Sequence, residues 1–185
     1  MFSESGARRQ QKPRRFLVIK EKVEVIEGNQ VARIEPSAEP IVTCSIDFDH
    51  PLVPTKPYIF TVSEHSFRHE IAPARTFGFL KDVDELRARG LALGASVENA
   101  VVIEGDGVLN PGVLRFPNEF VRHKILDAIG DLSLLGMPFV GTVTLYRSGH
   151  RLNLRLVQAI LADSSTYEIQ LGGYTDCPRL KHSSL

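Results

Sequence analysis

EFVRHKILDAIGDL (residues 119–132) combines apolar residues at helical spacing with a line of ionisable side chains. His123, Asp127 and Asp131 recur every four residues, and Lys124 stands beside the first of them. At 3.6 residues per turn, this spacing places the three side chains on one face, with a drift of about 40° per step. The isoleucines and leucines between them point in other directions, so the stretch predicts a helix with one buried and one polar face.

Two interpretations of the polar line stay open at this point. The common one is a solvated stripe, in which Lys124 and the neighbouring arginine form ordinary helix ion pairs with the carboxylates. The other is a metal site, because a histidine and a carboxylate at i and i+4 rise from adjacent turns and can point at one ion. Zinc accepts such donors, but the helix supplies two ligands, His123 and Asp127, where a catalytic zinc usually has three. Asp131 would then orient another group.

A second histidine lies in YRSGHRLN (146–153), where His150 follows Gly149 at a predicted junction between a strand and a helix. Glycine lets the backbone approach a ligand closely, and a helix N-terminus favours anionic groups. A histidine at such a junction is commonly a cap or a surface residue. It is also where a general acid would lie.

The rest of the chain predicts an α+β domain. The predicted fold is a two-layer sandwich, with helices packed on one face of an antiparallel sheet. Alternating apolar residues and turn signals predict the strands, and helical spacing with caps predicts the helices. The predicted strands are residues 15–26, 30–36, 41–48, 58–62, two short ones within 99–110, and 139–147, and the predicted helices are residues 63–71, 80–89, 118–135 and 150–163.

Composition narrows the class of protein. The chain has 185 residues, 43% hydrophobic and 24% charged, with a net charge of zero, as expected for one globular domain without a nucleic-acid partner. No apolar run is long enough for a membrane span, and the polar, basic start is no secretory signal. Cys44 and Cys177 form no motif, so a cytoplasmic location is expected. We expect a disordered basic start at 1–13, a folded domain at 14–163 and a loose tail at 164–185.

Five ordered motifs resemble the second domain of the UDP-3-O-acyl-N-acetylglucosamine deacetylases, zinc amidases that commit bacteria to lipid A synthesis. The similarity runs in order from about Arg14 to Ala162, and IDFDHP (46–51) also falls in register. The motifs are ARTFGF (74–79), GLALGAS (90–96), GVLNPGVLRF (107–116), EFVRHKILDAIGDL (119–132) and YRSGH (146–150).

The resemblance implies a reaction and a role for five residues. His123 and Asp127 would be two ligands of one zinc ion, and zinc-activated water would attack an acetamide to give acetate and a free amine. His150 would be the cationic general acid that protonates the leaving amine and steadies the oxyanion. Asp131 would hold His150 in place, and Thr76 would hydrogen-bond the tetrahedral intermediate.

The resemblance also implies how the substrate, UDP-3-O-acyl-N-acetylglucosamine, would be held. Lys124 would reach its phosphates or sugar, and Phe77 would line the sugar and acyl site. Phe48 would pack on the uridine. Leu80 and Val83 would lie on the wall of an acyl-chain tunnel, built by a small β-α-β insert that begins near Leu80.

In that family the site lies between two similar domains, and the first domain supplies a histidine ligand and a glutamate general base. This chain shows no counterpart of the first domain. Glu64 and His65, with His69 completing an HxxxH spacing, fall in register with a helix of the second domain instead. A further departure is Gln30, in a turn where some members carry a lysine near the nucleotide. We therefore expect the chain to be incompetent alone: a fragment, the product of a misplaced start codon, or half of a split protein.

A non-catalytic alternative also stays open. The chain could be a remnant, or a split-protein half, that binds a UDP-sugar, an acyl chain or a partner domain. The presence of His123, Lys124, Asp127, Asp131 and His150 together favours the catalytic hypothesis, because a drifting remnant would lose such groups. The basic start is all that favours a nucleic-acid-binding module.

Overall fold

The computed structural model covers the predicted domain and part of the predicted tail. Most of the predicted basic start lies outside the described residues, as does the end of the predicted tail. The boundaries of those two segments therefore stay predictions. The residues that the structure describes are 12–48, 50–53, 55–90, 92–110 and 114–172.

Three sheets are formed by the described residues. The strands are β1 (Arg14–Ile19), β2 (Val23–Glu27), β3 (Gln30–Glu35), β4 (Ile41–Ser45), β5 (Tyr58–Thr61), β6 (Thr76–Phe79), β7 (Ala100–Glu104), β8 (Gly107–Val108), β9 (Phe139–Val140), β10 (Thr142–Tyr146) and β11 (Tyr167–Gly172). The main sheet has the order β2-β3-β10-β4-β5, the second β11-β1-β9, and the third, smaller sheet β6-β7-β8.

The helices cover the main sheet and confirm the predicted α+β architecture. The helices are α1 (Glu64–Ser66, continued by a π-helical turn at Phe67–Ile71), α2 (Val83–Ala88), α3 (Glu119–Leu132) and α4 (His150–Ala162). Helices α3 and α4 pack on each other; α3 also lies on β4, and α4 lies on β2 and β3. In the part of the chain that the structure describes, no helix combines the length and apolarity needed to cross a membrane.

The buried face of α3 explains why this stretch is helical. Its apolar side chains recur at helical spacing and are withdrawn from solvent, so they enter one core with the inward face of the main sheet. These side chains are Phe120, Val121, Ile125, Ala128 and Leu132. A short 3-10 turn (Ser133–Leu135) follows, and Gly136 ends it with a φ of 77°, a conformation that suits glycine.

Two predicted strands are divided differently in the structure. The predicted strand at 15–26 is two strands, β1 and β2, which belong to different sheets. The predicted strand at 139–147 is likewise divided into β9 and β10, with Gly141 between them. Each of these two sheets also contains one parallel pair, which is β4 with β10 in the main sheet and β1 with β9 in the second sheet. The other pairs in both sheets are antiparallel, as the sequence predicts.

Within the predicted tail, residues 167–172 form a strand. This segment is β11, which pairs antiparallel with β1 along the full length of both strands. Its sequence, YEIQLG, does alternate apolar and polar residues, but Ile169 and Leu171 face solvent, 45% and 69% exposed. The segment is held by backbone hydrogen bonds to a strand about 150 residues away in sequence, and such pairing leaves little local signal.

The third sheet corresponds to the β-α-β insert that the family resemblance implies. Strands β6 and β7 run parallel and are connected through the 3-10 segment Leu80–Asp82 and α2. Parallel neighbours need a crossover of this kind, whereas β8 returns antiparallel through a tight turn at Gly105. The predicted helix at 80–89 is therefore present, but its α-helical part is limited to α2.

Gly141 gives a test of the packing between the second sheet and the main sheet. A Cβ there would lie 3.0 Å from the Glu35 carbonyl oxygen and 3.0 Å from Ile19 Cγ1. We expect Gly141→Ala to lower the free energy of unfolding by about 1–3 kcal/mol, because backbone must move. The matched control is Gly130→Ala on α3, where the added Cβ meets nothing within 4 Å. The control gains up to about 1 kcal/mol from helix propensity. Equal urea midpoints for the two variants would contradict this packing.

Candidate active site

The polar line of α3 forms one cluster of charged groups. Nε2 of His123 lies 3.3 Å from Oδ1 of Asp127, and the two side chains are 16% and 19% exposed. Nζ of Lys124 lies 3.0 Å from the other oxygen of the same carboxylate. The predicted convergence of His123 and Asp127 on one helix face is therefore present. In this arrangement Lys124 compensates the charge of Asp127.

The other nitrogen of His123 is occupied by the backbone before β6. Nδ1 lies 3.2 Å from the carbonyl oxygen of Ala74, close enough to donate a hydrogen bond to it. When one ring nitrogen donates in this way, the other is left with a lone pair for a metal ion. The ring of His123 is therefore oriented so that Nε2 faces Asp127.

His150 approaches the same cluster from α4. Its Nδ1 lies 3.0 Å from both oxygens of Asp131, so Nδ1 donates to that carboxylate. Its Nε2 lies 4.0 Å from Oδ2 of Asp127, and the side chain is 64% exposed. The expected proximity of His150 to Asp131 and Asp127 is therefore observed, with the free end of the imidazole directed into the cluster.

The main sheet delivers His150 and Phe48 to the same edge. Strands β4 and β10 are parallel neighbours, so the segments that follow them leave the sheet side by side. Arg147 turns the chain from β10 toward α4 with a φ of 52°, a left-handed conformation that is uncommon outside glycine. Its backbone N–H donates to the Ser45 carbonyl (3.0 Å), and its Nη1 lies 3.0 Å from Oδ2 of Asp47.

A buried ion pair holds the start of α3 to the segment before β6. The Glu119 side chain is fully buried, and its oxygens accept from the backbone N–H, Nε and Nη2 of Arg75 at 2.9, 2.9 and 3.0 Å. The backbone N–H of Arg115 donates a fourth bond, at 2.7 Å. Burial alone would raise the pKa of Glu119, but the hydrogen bonds from Arg75 and Arg115 outweigh it and lower the pKa.

The hydrophobic pattern of the sequence does not indicate the ion pair between Arg75 and Glu119. An acidic residue in the first turn of a helix is ordinarily explained by the helix dipole and by solvent, so Glu119 is easily taken for a surface residue. The spacing of the apolar residues in α3 does not indicate that the carboxylate of Glu119 is buried with them. The one sequence signal is the ARTFGF motif, which contains Arg75 and so marks one member of the pair.

Aromatic rings connect helix α3 to a cavity beside the insert. Phe77 packs edge-on against Phe48 (centroids 5.5 Å apart) and against the buried Phe120 of α3 (4.9 Å). The cavity has a volume of about 590 Å³ and includes Phe48 and Leu80 in its wall. The other lining residues are His50, Phe79, Lys81, Ile103, Glu104 and Gly105.

The structure thus brings together some of the predicted substrate-binding residues and separates others. Phe48 and Leu80 share the cavity, and Phe77 lies behind Phe48. Val83 is half-buried at the start of α2 and does not line the cavity. Thr76 is exposed at the start of β6, two residues after the Ala74 carbonyl that orients His123.

His123 and Asp127 fit a zinc ion in donor chemistry, although not in number. An imidazole nitrogen and a carboxylate oxygen are normal zinc ligands, and the Ala74 carbonyl behind His123 is the outer partner that such ligands commonly have. Across the described residues, however, no group of three or more His, Cys, Asp or Glu side chains is placed to hold a metal. The described part of the chain therefore offers a two-ligand site.

Four other candidate ligands, Glu64, His65, His69 and Cys44, lie apart from this pair. Nδ1 of His69 bonds the carbonyl of His65 at 2.8 Å and the two rings stack 4.4 Å apart, so neither they nor Glu64 complete a metal cluster. Burial raises the pKa of the Cys44 thiol to about 12, against a smaller opposing influence of Lys124. Cys44 is therefore a neutral core residue at neutral pH.

A paired histidine and carboxylate beside a second, carboxylate-held histidine is a donor set of the kind that metal-dependent hydrolases use. The family model described as UDP-3-O-acyl N-acetylglycosamine deacetylase (LpxC) matches residues 1–162. The chain belongs to this family.

Relatives named UDP-3-O-acyl-N-acetylglucosamine deacetylase match most of the chain. One from Myxococcus xanthus (strain DK1622) is 46% identical over 169 residues, 91% of this chain and 54% of the relative. One from Campylobacter concisus (strain 13826) is 49% identical over 169 residues, 91% of this chain and 58% of the relative. The chain spans about half the length of these curated relatives.

The buried ion pair gives a stability test that does not depend on any activity. We expect Glu119→Gln to lower the free energy of unfolding by about 3 kcal/mol, because Arg75 loses its countercharge in a buried setting. The folded pKa of Glu119 lies below its ordinary value of 4.5. Its contribution is therefore complete above that value and is lost as the pH falls through the folded pKa. The difference between wild type and variant should shrink on acidification.

The matched control is Glu64→Gln, which removes a carboxylate that is 90% exposed and lies 3.8 Å from Arg68. An exposed pair of this kind contributes about 0–1 kcal/mol, so the control should unfold close to wild type. Denaturant unfolding at neutral and acidic pH measures both variants. A Glu119→Gln protein as stable as the control at neutral pH would contradict the assignment.

Proposed function

We propose that this chain carries the proton-donating half of the active site of a zinc-dependent deacetylase. The proposed reaction is hydrolysis of the N-acetyl group of UDP-3-O-acyl-N-acetylglucosamine, with release of acetate, in lipid A biosynthesis. The names of the relatives suggest the substrate. The observation that carries the proposal is the approach of His150 Nε2 to Asp127, with Asp131 behind the ring.

His123 and Asp127 are the residues proposed to hold the zinc ion. With Nδ1 of His123 donating to Ala74, its Nε2 is free to bind, and Oδ1 of Asp127 lies beside it. Bound zinc lowers the pKa of a water molecule and polarises a carbonyl group. Lys124 neutralises Asp127 in the arrangement described, and we propose that its ammonium group turns to the phosphates or sugar of the substrate.

The proposed role of His150 is delivery of a proton to the leaving nitrogen. In amide hydrolysis the water oxygen bonds to the carbonyl carbon, the C–N bond breaks, and the amine departs only if it gains a proton. Nε2–H of the imidazolium supplies that proton, while Asp131 keeps Nδ1–H bonded and stabilises the positive charge. The positive charge close by also favours the oxyanion that develops on the carbonyl oxygen.

The remaining residues are proposed to hold the substrate. The exposed hydroxyl of Thr76 would donate to the developing oxyanion. Phe48 would pack on the uridine, and Phe77 would line the sugar and acyl site. Leu80 and Val83 would lie on the wall of an acyl-chain tunnel built by the insert, although of these two only Leu80 lines the cavity described above.

The third zinc ligand and the base that deprotonates water are proposed to come from elsewhere. Since the described residues offer a two-ligand site, we propose that a Glu-His pair on a first domain, in the same protein or in a separate chain, completes it. Residues 1–185 alone would then bind zinc weakly and would not be competent for deacetylation.

A reconstitution experiment tests this proposal. Residues 1–185 alone are expected to release no acetate from the UDP-sugar, whereas mixing with a separately expressed first domain of a relative should give tight zinc binding and turnover. In the mixture, His150→Ala should lower kcat by about 10²–10⁴-fold with zinc retained, because general acids contribute about that much. Asp127→Ala should lose the metal. His65→Ala, on the exposed stacked pair, is the control and should leave both readouts unchanged.

Two results would contradict the proposal. Robust turnover by residues 1–185 alone, in metal-buffered solution, would show that no second domain is needed. Binding of the UDP-sugar by the reconstituted mixture without any acetate release would instead favour the non-catalytic alternative.

A further inference from the structure

Asn153 is a buried polar residue of α4 with a hydrogen-bond partner for each polar atom of its side chain. It is 3% exposed, and its Nδ2 donates to Oδ2 of Asp131 at 2.8 Å. Its Oδ1 accepts from the hydroxyl of Ser148 at 2.6 Å. The backbone N–H of Asn153 donates to the Gly149 carbonyl at 3.0 Å, within the first turn of the helix. A buried amide that is hydrogen-bonded at both its nitrogen and its oxygen is held in one orientation.

The hydrogen-bond partners determine which way the amide of Asn153 points. An ionised carboxylate can only accept, so the NH2 group must face Asp131 and the amide oxygen must face Ser148. Ser148 therefore acts as the donor in its bond to Asn153. A flipped amide would place two oxygen acceptors against each other at Asp131, which is unfavourable in a buried position.

Asn153 and His150 reach the same carboxylate from one face of α4. Their i, i+3 spacing places the two side chains on adjacent turns, and both contact Asp131 of α3. Asp131 is 14% exposed, whereas His150 is 64% exposed. The imidazole is thus the more exposed partner, and it is bonded to a carboxylate whose Oδ2 also accepts from Asn153.

We infer that Asn153 is a positioning residue for His150, which acts through Asp131 and whose amide is oriented by Ser148. By fixing the plane of the Asp131 carboxylate, Asn153 keeps Nδ1 of His150 as the bonded nitrogen and directs Nε2 toward Asp127. The consequence for catalysis rests on the proposed function, whereas the consequence for the state of the imidazole does not. The two can therefore be tested separately.

The state of the imidazole is measured by NMR on the 185-residue chain with 15N-labelled histidine. Long-range 1H–15N spectra show which ring nitrogen is protonated, and the His150 signals are those missing in His150→Gln. At a pH where His150 is neutral, wild type should show the Nδ1–H form. Asn153→Leu, with the same branching and number of side-chain heavy atoms but without a donor, should shift the spectrum toward the mixture of an unrestrained histidine.

The pair Ser148→Ala and Ser148→Thr gives a second test, at the amide oxygen of Asn153. Ser148→Ala removes the donor that fixes the amide and should shift the His150 spectrum in the same direction as Asn153→Leu, by a smaller amount. Ser148→Thr keeps the hydroxyl and should resemble wild type. This pair decides the matter if Asn153→Leu does not fold.

In the reconstituted mixture, Asn153→Leu should lower kcat by about tenfold to a hundredfold, the usual cost of removing an outer partner of a site residue. KM should be unchanged, because Asn153 is not placed to touch substrate. A His150 spectrum that stays wild-type in folded Asn153→Leu, or that is equal in the two Ser148 variants, would overturn the inference. Shifted spectra in a mixture whose wild type shows no turnover would refute the proposed function and leave the positioning role intact.

Discussion

The carboxylate of Glu119 lies where no solvent reaches it, and a buried charge of this kind persists only if it is paired and hydrogen-bonded. Two segments meet that requirement together: the side chain and backbone of Arg75 and the backbone of Arg115 donate hydrogen bonds to this carboxylate on the first turn of α3. Ala74 directly precedes Arg75, so the bonds that hold Arg75 also hold the Ala74 carbonyl in place. That carbonyl orients the ring of His123, which lies one helical turn after Glu119 on α3. The position of the candidate ligand pair therefore depends on this buried pair.

The candidate site is built in two halves that meet over α3. One half comes from the segment before β6, whose Ala74 carbonyl orients the ring of His123 on α3. The other comes from the carboxyl ends of the parallel strands β4 and β10, which deliver Phe48 and His150. Helix α3 contributes Asp127 between the two halves and Asp131 beneath His150. Because Asp131 of α3 bonds the ring of His150, the spacing of Asp127 and Asp131 along α3 helps to set the distance between the candidate metal ligands and the candidate acid.

Much of this arrangement could be predicted from the sequence because it is local. The four-residue spacing of His123, Asp127 and Asp131 determines their shared face, and Gly149 marks the start of α4 just before His150. The convergence of His150 on Asp131 was predictable through the family resemblance. This contact joins two helices, and the periodicity within each helix does not determine how the two helices cross.

Other features are non-local, and local patterns do not reveal them. The bond between Asn153 and Asp131, the ion pair between Arg75 and Glu119, and the pairing of β11 with β1 each join residues far apart in sequence. Buried polar residues are also few in the core, so an apolar pattern assigns Glu119 and Asn153 to the surface by default. The division of residues 15–26 between two sheets follows from sheet order, which alternation along a single strand does not encode.

Paramagnetic NMR can decide whether the polar face of α3 is a metal site. Co²⁺, which occupies zinc sites, would be titrated into the 15N-labelled chain of 185 residues, and the first resonances to broaden would be mapped. If the ion binds on this face, broadening should begin at His123 and Asp127, extend to His150, and disappear in Asp127→Ala. Broadening centred on the exposed pair His65 and His69, unaffected by Asp127→Ala, would contradict it.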